Sequence, residues 1–214
     1  MMKSLILGAG KYGQVYLSYL KECGVNIVGF LDDTPELQGI SINGIPVLGT
    51  ISTLPIWKDK INAESVYCPI GNNIARVKFL QNAISLGYKV PNFIHPKANC
   101  SRDAKIGEHG IYVLPGTTIM PLCEIRDFVM LSVNGTVAHH SLLEEGTFLS
   151  TGVNFGTRIT AHKYVYVGIG ATIMTGVSEL GENCLIGAGA VVIKDVPANA
   201  VVAGVPAKIL KYQK

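Results

Sequence analysis

Val113-Leu-Pro-Gly-Thr-Thr-Ile119-Met-Pro-Leu-Cys-Glu-Ile125-Arg-Asp-Phe-Val-Met-Leu131 carries an apolar residue at every sixth position. The beat continues through Val137, Leu143, Leu149, Phe155, Ala161, Val167 and Ile173, then slips by one residue and resumes at Leu180, Ile186 and Val192. In a chain that is 48% hydrophobic, an unbroken run of this length arises by chance on the order of once in a thousand per register. A period of six fits neither the 3.6-residue turn of an α-helix nor the two-residue alternation of a strand. It is the period of a parallel β-helix: each hexad is one short strand and one turn, three hexads close a triangular coil, and the aliphatic residue points into the stacked core. Residues 96–214 therefore read as a β-helix domain of about five coils, with Gly107, Gly135, Gly152, Gly168, Gly176, Gly187 and Gly189 serving turns. A β-sandwich is the competing architecture. Prisms of this kind have open ends and flat faces that need covering. The region before residue 96 would cap one end, the tail from Asp195 the other, and neighbouring subunits the faces. Closed symmetry makes a homotrimer the natural assembly for a triangular prism.

The rest of the composition narrows the class. Of 214 residues only 15% are charged, and the net charge of +3 is spread without a long basic run, which argues against nucleic acid as a partner. No apolar run reaches the roughly 20 residues of a spanning helix, and the apolar start leads into glycines with no signal-peptide cleavage pattern. No membrane insertion is expected. Cys23, Cys68, Cys100, Cys123 and Cys184 are odd in number, scattered and without metal-ligand spacing, so they read as buried thiols of a cytoplasmic protein with no metal centre.

Residues 1–95 have a different character. Lys3-Ser-Leu-Ile-Leu7 is a buried strand, followed at once by Gly8-Ala-Gly10-Lys11-Tyr12-Gly13, an amphipathic helix with Val15, Leu17, Tyr19 and Leu20, and a second strand, Asn26–Leu31, closed by Asp32-Asp33. Strand, glycine turn, helix, strand and acid in this order make the Rossmann-like α/β nucleotide-binding pattern. Its glycines let backbone N–H groups approach a phosphate at the positive end of the helix. The unit is short for a dinucleotide fold, so a mononucleotide or nucleotide-sugar fits better than NAD. A later strand, Ser65–Ile70, ends in Gly71-Asn72-Asn73, where open sheets place ligands. There Asn72 or Asn73 is either a ligand contact or a helix cap.

Two further stretches are specific. Ile186-Gly-Ala-Gly-Ala-Val-Val192 and Ala203-Gly-Val-Pro-Ala-Lys208 resemble the C-terminal signature of hexapeptide-repeat acyltransferases. Together with the Gly8–Gly13 turn, Phe30-Leu-Asp-Asp33, Ile70-Gly-Asn-Asn73 and Asn92-Phe-Ile-His95, the chain resembles the bacterial nucleotide-sugar 4-amino N-acetyltransferases and the related sialic acid O-acetyltransferases. The resemblance implies a left-handed β-helix, a trimer, acetyl-CoA as co-substrate and a nucleotide-linked amino sugar as acceptor, leading toward glycan or O-antigen assembly. A sugar or sialic acid O-acetyltransferase is the alternative, and a non-catalytic nucleotide-sugar scaffold a third reading.

Acetyl transfer needs a base that removes the acceptor proton during attack on a thioester, and imidazole suits this near neutrality. With no nucleophilic serine or cysteine motif, direct transfer is expected. The family carries its base in a Val-x-His segment, which matches Val137-Ala-His139. A carboxylate commonly follows, whereas this chain has His140, so either another acid, Glu144 or Glu145, orients His139 or the imidazole depends on a backbone carbonyl. Two adjacent imidazoles also disfavour double protonation. The resemblance further implies nucleotide contacts from Gly8, Gly10, Lys11, Tyr12 (a histidine in relatives), Gly13, Asp32, Asp33, Gly71, Asn72 and Asn73. For acetyl-CoA it implies Thr157, Gly168, Ile169, Gly187, Ala188 and Lys208, in a groove between two prisms.

Overall fold

The computed structural model describes residues 2–213, and the chain divides into two compact units, one ending at Pro91 and the other starting at Asn92. The first unit holds β1 (Lys3–Leu7), α1 (Lys11–Glu22), β2 (Asn26–Leu31), a hairpin of β3 (Ser41–Ile42) and β4 (Ile45–Gly49), α2 (Leu54–Ile61), β5 (Ala63–Tyr67) and α3 (Asn73–Ser85). The sheet order is β3-β4-β2-β1-β5, parallel except for the β3–β4 hairpin. β1 is central and buried, which explains its continuous apolar run. α1 buries Gly13, Tyr16, Leu17 and Leu20, a stripe at helical spacing. Val15, expected on that stripe, lies off it and is 42% exposed. The order of strands places β1 between β2 and β5, so the carboxyl ends of β1 and β5 form the switch point where such sheets bind ligands.

The second unit is a parallel β-helix with three sheets, one per side. Side one begins at Phe93–Ile94 and continues through Tyr112–Val113 to Ala200–Ala203, side two runs from Asn99–Cys100 to Val191–Val192, and side three from Lys105–Ile106 to Glu179–Leu180. Five coils are complete, a sixth is closed by a bridge between Leu180 and Val196, and Lys208–Tyr212 adds an antiparallel strand to Ala200–Ala203. Each two-residue strand points its second residue inward. The hexad residues from Val113 to Ile173 are at most 2% exposed and form one core. Ala161, the one small member, shares its coil with Phe155, the one aromatic member, so total core volume is kept.

The β-helix starts at Phe93 rather than at residue 96, because Phe93–Ile94 pairs with Tyr112–Val113. The six-residue beat extends back through Ile106, Cys100 and Ile94, but a seven-residue step from Ile106 to Val113 hides it. A second seven-residue step separates Ile173 from Leu180. Each extra residue leaves backbone N–H groups without a ladder partner, and each time an aspartate on the following coil accepts them. Asp127 Oδ1 takes the N–H groups of Glu108 (2.8 Å) and His109 (3.1 Å). Asp195 Oδ1 takes those of Ser178 (2.6 Å) and Glu179 (3.1 Å). Among the described residues no helix is long and apolar enough to cross a membrane. The five cysteines are free thiols; Cys68, Cys123 and Cys184 are buried, and Cys23 and Cys100 half-buried.

Candidate active site

The switch point between β1 and β5 is a cavity of about 430 Å³. Its lining includes eight expected residues: Gly8, Gly10, Lys11, Tyr12, Gly13, Asp32, Asp33 and Gly71. The glycine turn is sterically fixed, since a Cβ on Gly13 would sit 2.0 Å from the Gly8 carbonyl oxygen. α1 begins with no acid in its first turn and no side-chain cap, and its positive dipole end favours an anion there.

The two acids differ. Asp32, 8% exposed, accepts hydrogen bonds from the N–H groups of Ala9 (2.6 Å, Oδ2) and Thr34 (2.8 Å, Oδ1). Burial works to raise its pKa, but the hydrogen bonds from Thr34 and Ala9 outweigh it and hold the carboxyl below the usual range. Asp32 thus ties the glycine turn to the end of β2. Asp33 commits only Oδ1, to the N–H of Ile51 at 2.8 Å. Asn72 is the N-cap of α3, accepting from Ala75 N at 2.9 Å, and Asn73 is buried; neither lines the cavity. The apolar walls Ile51, Pro69, Ile70 and Phe79 were not anticipated. The first three follow the ends of β4 and β5, and strand-end position was the signal that could have identified them.

On the β-helix, His139 and His140 occupy the turn from side two to side three, His139 half-buried and His140 exposed in the left-handed region (φ 60°). Their Nδ1 atoms are 2.9 Å apart, with ring planes at 84°. The same turn of the next coil places Thr157 and Arg158 beside them, and Arg158 N donates to the His139 carbonyl at 3.1 Å.

Glu144 does not join this pair. Its carboxylate lies 3.4 Å from His162 Nδ1, and Glu179 lies 3.6 Å from His162 Nε2. Glu145 turns to Lys163 and Tyr164. The expectation that Glu144 or Glu145 orients His139 is therefore corrected: both follow Leu143 on side three, whereas His139 follows Val137 on side two, one corner of the prism away.

Gly168, Ile169, Gly187 and Ala188 stack in two successive coils at the turn from side one to side two, and Ile169 is 59% exposed. A Cβ on Gly168 would lie 2.7 Å from Ala188 N, and one on Gly187 2.9 Å from Ala203 Cβ. Ala203 pairs with Lys208, so this lysine belongs to the same corner. Thr157 is separate from them, at the far end of side two in the histidine corner. Between the two corners lies a shallow groove of about 240 Å³ that includes Thr136, Asn154, Gly156, Thr172, Met174 and Thr175.

A nucleotide-sized βαβ cavity followed in the chain by a hexapeptide-repeat β-helix defines a two-unit acyltransferase architecture. Residues 3–83 match the family described as the PglD N-terminal domain. A mutant of the GDP-perosamine N-acetyl transferase from Caulobacter crescentus, solved with CoA and GDP-perosamine, is similar over 99% of this chain and 98% of its own, with TM-score 0.91 and 27% identity. The acetyltransferase domain of PglB from Neisseria gonorrhoeae FA1090, solved with acetyl coenzyme A, is 33% identical over 97% of this chain and 98% of its own, with TM-score 0.87. The galactoside O-acetyltransferase of Escherichia coli (strain K12) is 37% identical over 83 residues, and the chain spans only 37% of that relative's length. The chain belongs to the nucleotide-sugar N-acetyltransferases of the hexapeptide-repeat family.

Proposed function

We propose that the protein transfers the acetyl group of acetyl-CoA to the 4-amino group of a nucleotide-linked 4-amino-4,6-dideoxy sugar. The observation that carries this is the presence, on one chain, of a cavity lined by the Gly8–Gly13 turn at the start of α1 and of a β-helix corner bearing His139 beside an open groove. The nucleotide occupies the β1/β5 cavity, with its phosphates at the start of α1 and its base or ribose near Asp33. Acetyl-CoA is the co-substrate; its thioester arm lies along side two, from the Gly168 and Gly187 corner toward His139. The acceptor is a free amine, formed after the ammonium has lost one proton. Its nitrogen attacks the thioester carbonyl carbon while His139 Nε2 removes an N–H proton, and the carbon–sulfur bond breaks. CoA leaves as the thiolate and recovers the proton, so that amine and thioester become amide and thiol. The assembly is a homotrimer of left-handed prisms working in the cytoplasm, with the neighbouring prism forming the other wall of the cofactor groove.

The test is turnover with acetyl-CoA and a panel of UDP-, dTDP- and GDP-linked 4-amino-6-deoxy sugars, read as thiol release, with His139→Ala in parallel. The expected result is turnover of one sugar, reduced about a hundredfold or more in the variant. Acetylation of free sialic acid but of no amine would replace this reading with O-acetyl transfer. Sedimentation at equilibrium checks the trimer.

A further inference from the structure

We propose that His140 is the positioning residue for His139: its Nδ1 accepts the His139 Nδ1–H, which fixes the tautomer whose bare Nε2 can take a proton. The inference rests on the reading of His139 as the base and supplies what that reading leaves open, namely how the imidazole is held when no carboxylate follows it.

The geometry is an Nδ1-to-Nδ1 contact of 2.9 Å between rings at 84°. An N–H···N bond of this kind holds one proton, so the two tautomers are coupled. When His139 donates, its Nε2 is bare and His140 carries its own proton on Nε2. When His140 donates, His139 must carry its proton on Nε2 and cannot act as a base. A second proton on His140 enforces this inactive arrangement. In the working arrangement, capture of the substrate proton at His139 Nε2 requires no proton to move within the pair, because the Nδ1–H is already donated. The nearby carboxylate candidates do not take this role, since Glu144 faces His162 and Glu145 faces Lys163.

The backbone holds His140 where this contact needs it. Its N–H points to the Pro121 carbonyl at 3.4 Å, and it adopts φ 60°, a region that asparagine also tolerates. The facing groups on the packed coils are few. Met120, Pro121 and Leu122 precede the pair and carry no charge, and the Cys123 thiol donates to the Ala138 carbonyl at 3.2 Å. At the same turn of the following coil, residues 156–159, only Arg158 is charged.

Nitrogen-15 NMR of the full chain tests the tautomer without any substrate, with His139 assigned by its loss in His139→Ala. The expected spectrum has His139 protonated at Nδ1 and bare at Nε2, and His140 the reverse; in His140→Ala the His139 signals move toward a mixture of tautomers. A His139 protonated at Nε2 overturns the proposal. The sugar panel supplies a second arm. His140→Ala should lower kcat about 10- to 100-fold, with each KM changed less than about threefold. His140→Asn, whose Oδ1 stands in the place of Nδ1, should restore most of it. His140→Asp should move the acid limb of kcat/KM to higher pH, because a facing negative charge favours the imidazolium; a merely structural role would not move it. Loss in His139→Ala with full kcat in His140→Ala refutes the positioning role and leaves the base intact. Full activity in His139→Ala removes both.

Discussion

Replacing Asp32 by asparagine should unfold the nucleotide-binding unit more readily while leaving the β-helix unchanged. The carboxylate accepts one N–H at each oxygen, from Ala9 at 2.6 Å and Thr34 at 2.8 Å, in a buried setting. An asparagine has one acceptor oxygen and one NH₂, so one of these N–H groups must face another donor. Hydrogen bonds to a charged group contribute about 1.5–3 kcal/mol each, so the expected cost is about 2 kcal/mol. The assay is built into the chain: Trp57 is the only tryptophan, lies on α2 in the first unit, and donates to Thr53 Oγ1 at 2.9 Å. Its fluorescence in urea therefore reports this unit, and with a slope of about 1–3 kcal/mol/M the midpoint should fall by about 1 M. The sign with pH follows from the direction of the shift. The folded carboxyl is held below its unfolded value, so its stabilisation is complete above about pH 4 and is lost as pH falls through the folded pKa. The gap between wild type and Asp32→Asn should thus be widest at neutral pH and close on acidification. Asp33→Asn, which disturbs a single hydrogen bond, should move the midpoint less. An Asp32→Asn midpoint equal to wild type, or a gap that does not change with pH, would refute the reasoning.

Five further substitutions probe the β-helix. Phe155→Ala removes the one aromatic side chain from the hexad core, where it is 2% exposed, and should cost about 3–5 kcal/mol by thermal or denaturant unfolding. Ala161→Val in the same coil should recover part of that loss. Gly168→Ala drives a methyl group to 2.7 Å from Ala188 N and should destabilise by about 1–3 kcal/mol. Gly170→Ala meets open space, and its penalty should be limited to the roughly 1–2 kcal/mol of positive-φ strain. Asp127→Ala strands the N–H groups of Glu108 and His109 at the first seven-residue step. The expected signature is faster amide exchange confined to residues 107–112, with a stability loss of about 1–2 kcal/mol.

The β-helix was legible because its strands are two residues long and its core takes one residue per hexad, so the period survives without any knowledge of tertiary contacts. Its start was not legible. The extra residue between Ile106 and Val113 breaks the count, and only the contact of Asp127 with Glu108 and His109 shows that a seven-residue step is accommodated there. The same limit explains Glu144. Five residues after His139 is close in sequence but lies around the next corner of a triangular coil, where the nearest imidazole is His162, 18 residues further on. In the first unit the glycine turn and the strand-end acids could be placed from the βαβ pattern. Which acid is turned inward could not, because this depends on where the N–H groups of Ala9 and Thr34 point. The partner of His139 was adjacent to it in sequence, but the Nδ1-to-Nδ1 contact requires the left-handed backbone of His140, and no residue type announces that conformation at a histidine.

A parallel β-helix repeats its chemistry along each side, since residues about 18 apart share one column, and the three sides of this prism differ accordingly. The outward residues of side one include Phe93, Tyr112, Met130 and Phe148, none more than 5% exposed. Those of side three include Lys105, Glu124 and Glu179, and the turns after it carry Arg126, Glu144 and His162. Those of side two are Asn99, Thr118, Thr136, Asn154, Thr172 and Val191, all without charge. An extended ligand can lie flat on such a surface without desolvating a charge, which side three does not permit. Side two is also the only side that begins at the Gly168 and Gly187 corner and ends at the His139 corner. Glycines at one end, an imidazole at the other and a neutral floor between them fit the path proposed for the thioester arm, and the six-residue repeat supplies all three from one face.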